Sequence, residues 1–280
     1  MTRLDKNNFS ITKYIEQTVG VFSYFDLIVN QLKADSKKSF SHALFIFKKL
    51  SENLAGPNLL ENNQSWTPLF AEELKSCKGK LSEIIMLLQF EDILSQKFDH
   101  ISQINRIVVN NLQKDSELPE ESKALLLNKI IQLNSAQLEY IKQEHEEITS
   151  ELKDKLERIY KASANILSAI NGQDEKQKTL LNLITSKIDE SMATIRSFLD
   201  TDMFKLSPKI DALIKIVEGL DLNISFSKKE KIQHFDLQKL LNIYTIESER
   251  MVFYKVFKET GNYINEKTSS KPEANNIDFF

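Results

Sequence analysis

Apolar residues recur along most of this chain at steps of three and four, the spacing of helices that bury one stripe. No run of alternating polarity is long enough to require a strand. From Ile84 the stripe reads Ile84, Leu87, Glu91, Leu94, Phe98 and Ile101, which places Asp92 and Gln96 on the opposite, outward side. A second run, from Leu127 through Ile131, Asn134, Leu138, Ile141, His145, Ile148, Leu152, Lys155, Ile159, Ala162 and Ile166 to Ala169, keeps a seven-residue repeat. A rod of that length, roughly 75 Å, needs an equally long partner. Residues 68–114 are the natural antiparallel one, joined to it by a short turn as an αα-hairpin.

Glycine and proline are scarce, so they read as punctuation. Gly56, Pro57 and Pro68 bound the strongest break, with Ser65 or Thr67 as a cap and Pro68 in the first helical turn. Five segments result: an N-terminal helical segment (1–55), a linker (56–67), a long bundle (68–219), a C-terminal helix region (220–261) and a flexible polar tail (262–280). Within the first, 10–30 and 39–54 read as two helices with bulky aromatic faces. Within the bundle, 68–114 and 119–171 form the hairpin, followed by helices over 174–206 and from Ser207-Pro208 to Glu218. A last helix is expected over 230–257. The fold class is all-α, an elongated antiparallel helical bundle with a long central hairpin and additional helices.

Composition narrows the function. The chain has 280 residues, 41% hydrophobic and 28% charged, enough for a sizeable core. Its formal net charge of −3 gives no drive toward nucleic acid. Cys77 is the lone cysteine, which rules out an intramolecular disulfide, and no Cys/His cluster offers a metal site. The N-terminus lacks an apolar signal core and no apolar run approaches spanning length, so a cytoplasmic protein without membrane insertion is expected. The four histidines, His42, His100, His145 and His234, lack the lysine-glycine helical turn of a phosphotransfer domain, and His145 falls on the heptad seam. There is no glycine-rich phosphate loop.

Phe90-Glu91-Asp92-Ile93-Leu94-Ser95-Gln96 places a carboxylate and a carboxamide at i and i+4 after an aromatic and an acidic residue. This order, on a long helix of an all-helical chain, resembles the active-site helix of the CheZ family of chemotaxis phosphatases over about fifteen residues. The terminal Ile277-Asp278-Phe279-Phe280 is similar to the short acidic and apolar segment with which that family binds its response regulator. The resemblance implies hydrolysis of the aspartyl phosphate of a CheY-like receiver domain. Gln96 would orient the attacking water and Asp92 would pair with the receiver's lysine. Mg²⁺ would come from the receiver, with no intrinsic cofactor or bound metal. Glu91, at a seam position, has a structural role first. The family's minimal unit is a hairpin and this chain has further helices, so the bundle can be completed within one chain or as a homodimer. The alternative is a non-catalytic helical scaffold that binds receivers or chemoreceptor arrays, which would tolerate loss of Asp92 and Gln96. The segment from Tyr244 to Arg250 has a faint likeness to a helix of bacterial chemotaxis-like proteins and carries no mechanism.

Overall fold

The computed structural model describes residues 3–55, 68–114, 118–168, 175–198, 206–220, 232 and 235–258. Among these there are eight helices and no strand: α1 (Arg3–Ala55), α2 (Pro68–Leu88), α3 (Phe90–Lys114), α4 (Glu120–Ser168), α5 (Glu175–Phe198), α6 (Leu206–Glu218), α7 (Leu237–Leu241) and α8 (Glu247–Phe257). The α2–α3 run and α4 pack antiparallel, as the punctuation and heptads require. No helix of the described residues is long and apolar enough to cross a membrane.

The helix boundaries differ from the sequence expectation in three places. First, residues 10–30 and 39–54 are not two helices: α1 is continuous for 53 residues. Its buried positions run Phe25, Val29, Leu32, Ser36, Phe40, Ala43, Phe47 and Leu50, so the stripe continues straight through the charged stretch at 33–38. Second, residues 68–114 are not one unbroken helix: the run continues through Gly79, where an added Cβ would meet open space, and is interrupted at Gln89. There the Gln89 N–H donates to the Met86 carbonyl and the Asp92 N–H to the Gln89 carbonyl, both at 3.1 Å, giving i to i−3 bonds in place of i to i−4. The buried stripe accordingly passes through Leu88, 3% exposed, and Leu87 is only partly buried. The steps Leu88 to Glu91 to Leu94 are two consecutive threes, and the local overwinding absorbs them. Third, the expected last helix is two short ones. Asp236 caps α7, its side chain accepting from the Gln238 N–H at 3.0 Å, and an extended Ile246 precedes α8.

The chain divides into two compact units. The larger comprises residues 23–102 and 135–219. Its core takes four residues from each of four helices: Phe40, Ala43, Phe47 and Leu50 of α1; Cys77, Leu81, Ile84 and Leu88 of α2; Leu152, Leu156, Ile159 and Ala162 of α4; Ile184, Ile188, Met192 and Ile195 of α5. Further along the same bundle, four cross-helix ion pairs link neighbours in a closed ring: Lys33–Asp99 (α1–α3), Lys97–Glu144 (α3–α4), Lys142–Asp211 (α4–α6) and Lys209–Asp35 (α6–α1). Numbering falls in one helix as it rises in its neighbour, so adjacent helices are antiparallel.

The smaller unit comprises residues 1–22, 103–134 and 220–280. In it α4 is buried nearly all round between Ala124 and Asn134, so several elements surround it. Buried Asn134 donates to Asn105 at 2.8 Å, a polar pair at a helix seam of the kind that fixes register. Phe253 stacks on Phe257 and meets Tyr244 edge-on, with ring centroids 4.5 and 6.0 Å apart.

Candidate functional site

Residues 90–102 of α3, within the larger unit, carry the candidate pair Asp92 and Gln96. Leu94, Phe98 and Ile101 are fully buried, and one helical face away Asp92 and Gln96 are exposed, a turn apart. The 3.6-residue period does this: burial of the stripe fixes the rotation of α3 and turns the pair to solvent. Ile93, 45% exposed, stands beside them as an apolar neighbour.

Glu91 is folded under the pair. It is 8% exposed, and its Oε1 is buried without a hydrogen-bond partner. Burial pushes its carboxyl above the usual carboxylate range, and the neighbouring Asp92 charge adds to the effect. Lys37 and Lys33 of α1 pull against it, and a hydrogen bond shared with Asp92 again favours the protonated form. The protonated form of Glu91 is the one that can donate to Asp92, which is why this contact favours it.

Two further helices hold α3. Lys33 of α1 is ion-paired with Asp99, which lies on the same outer face as Asp92 and Gln96. On the opposite flank Lys97, 1% exposed, is ion-paired with Glu144 of α4 and lies over the Tyr140 ring, 4.7 Å from its centroid. Sequence reasoning did not find Lys33, Lys37 or Lys97. The lysines of α1 carry no local signal, because their place beside α3 results from packing between distant segments.

His145, expected on the seam, is buried, with Nδ1 at 3.1 Å from Ser207 Oγ and Nε2 without a hydrogen-bond partner. Burial lowers its pKa to about 4. His100 is buried and His42 exposed, while His234 lies outside the described residues. The expected binding segment Ile277, Asp278, Phe279 and Phe280 also lies outside them, as do the 56–67 linker and the rest of the tail. Cys77 is buried in the core, which raises its thiol to about 11 and leaves it a packing residue. Among the described residues no three His, Cys, Asp or Glu side chains are grouped to hold a metal.

What the exposed pair offers chemically is one fixed acceptor and one amide with both donor and acceptor, on a rigid helix that a macromolecule can approach. Comparison of the chain with protein-family models, with curated proteins and with solved structures found no match.

Proposed function

We propose that this protein is a cytoplasmic, CheZ-like phosphatase that accelerates hydrolysis of the aspartyl phosphate on a response-regulator receiver domain. The observation that carries the reading is the exposure of Asp92 and Gln96 on one face of α3, with the family-like aromatic and acidic residues Phe90 and Glu91 buried beneath. In the reaction a water oxygen bonds to phosphorus and the bond to the aspartate carboxylate breaks, releasing inorganic phosphate. The receiver supplies the phosphoryl group, its lysine and Mg²⁺. Gln96 accepts a hydrogen bond from the water and fixes it in line, while Asp92 pairs with the receiver's lysine and holds the docked geometry.

The test is the decay of phosphorylated receivers at saturating protein with Mg²⁺. Gln96→Ala should cost on the order of 10²-fold in stimulated decay with binding nearly intact. Asp92→Ala should lower both turnover and affinity for the phosphorylated form. Equal acceleration by wild type and Gln96→Ala removes Gln96 from the mechanism. The scaffold alternative draws on Tyr24, Leu27 and Phe45, exposed apolar side chains of α1. It expects a receiver that is bound by wild type but whose decay is unchanged.

A further inference from the structure

We propose that Lys37 of α1 forms the cationic side of the Asp92–Gln96 site and selects the phosphorylated receiver over the unphosphorylated one. The inference rests on the phosphatase reading and adds a recognition residue from another helix.

Register places Lys37 there. Helices α1 and α3 are antiparallel, and Lys33 is pinned to Asp99. One turn on along α1 is Lys37, and one turn back along α3 is Ser95, about 6 Å along the axis in each case. Lys37 is thus level with the gap between Asp92 and Gln96. It is also turned further from the buried stripe of Leu32, Ser36 and Phe40 than Lys33 is, and it is exposed. Its charge reaches α3, since it acts on Glu91 more strongly than Lys33 does. Lys33, by contrast, is committed to Asp99, and Lys209 on the far flank of α1 to Asp35.

The chemistry is set by the surface that docks. Phosphorylation adds negative charge to the receiver face that Gln96 must reach, and the exposed Asp92 carboxylate, with Asp99 already neutralised by Lys33, would repel it. A lysine level with the gap between Asp92 and Gln96 offsets that repulsion at the point of contact. A flexible ammonium suits a phosphoryl oxygen or a carboxylate beside it, where it makes a charge-assisted hydrogen bond on docking.

The experiment titrates wild type, Lys37→Gln, Lys37→Arg and Lys38→Gln against a panel of receivers, each free and loaded with beryllofluoride as a stable phosphoryl mimic. Decay assays with Gln96→Ala run alongside. Lys37→Gln should weaken binding of the loaded receiver about tenfold and leave the free receiver and the melting temperature unchanged. Lys37→Arg should restore most of the affinity, and Lys38→Gln should behave as wild type. Unaltered preference in Lys37→Gln overturns the inference, and the phosphatase reading then still stands if Gln96→Ala loses turnover. Equal weakening of free and loaded receiver, or a lowered melting temperature, also overturns it. A panel in which wild type neither binds nor dephosphorylates any receiver overturns both.

Discussion

Lys97 of α3 is 1% exposed while the Glu144 to which it is ion-paired on α4 is 24% exposed, so the two halves of this pair stand in different environments. Removing each half therefore has a different cost. Glu144→Ala takes the ion-pair partner from a buried ammonium that keeps its place over Tyr140, and should destabilise by about 2 to 3 kcal/mol. Lys97→Met keeps a buried apolar stem, gives up the ammonium over Tyr140 and leaves a carboxylate that water can reach, so it should cost about 1 kcal/mol. Urea denaturation of the two variants measures the difference, and equal losses would contradict the asymmetry.

Glu91 supplies a pH-dependent contrast of its own. A carboxyl held above its ordinary range contributes stability that is present below the usual glutamate pKa and is lost as pH rises through the folded value. Glu91→Gln removes that loss. Its melting temperature should match wild type near pH 4 and exceed it by a few degrees at pH 7 to 8. A gap of the same size at both pH values would mean that titration of Glu91 is not the cause.

His145 acts in the opposite direction. Its folded pKa of about 4 lies below the ordinary 6.5, so the unfolded chain takes up the proton first and stability falls as pH drops through that interval. The linkage is worth about 2 to 3 kcal/mol by pH 4.5. His145→Leu should cost little at pH 7 and remove this part of the acid sensitivity. Urea midpoints at pH 7 and pH 4.5 read it directly, with a parallel decline of both proteins as the contrary result.

Deleting residues 275–280 tests the terminal segment, which lies beyond α8 and outside the described residues. On the phosphatase reading, the shortened protein melts as wild type and binds its receiver more weakly, because a tethered anchor raises local concentration without adding to the core. Unchanged affinity would leave the segment without a binding role.

The outward placement of Asp92 and Gln96 was legible in the sequence because one helical period, anchored by Leu94 and Phe98, decides it. The exchange of Leu88 for Leu87 in the buried stripe was not. It depends on two i to i−3 hydrogen bonds at Gln89, and hydrophobic spacing tolerates either residue. Charge density at 33–38 imitates a turn, yet Leu32, Ser36 and Phe40 stay in phase, and packing along their stripe carries α1 through. The last expected helix failed for local reasons: Asp236 is a stronger start signal than Glu230, and the extended backbone at Ile246 separates α7 from α8. Lys33 and Lys37 beside α3 are a tertiary fact, set by a pairing such as that of Lys33 with Asp99, 66 residues apart.

All four walls of the larger unit, and every ion pair of its ring, come from the same polypeptide. Formation of the surface around Gln96 is therefore first-order in protein. Dilution draws no wall away by mass action, so the unfolding midpoint of this unit should be the same at nanomolar as at micromolar chain. On the phosphatase reading, any dependence of activity on concentration would then report the encounter with the receiver and not the assembly of the site.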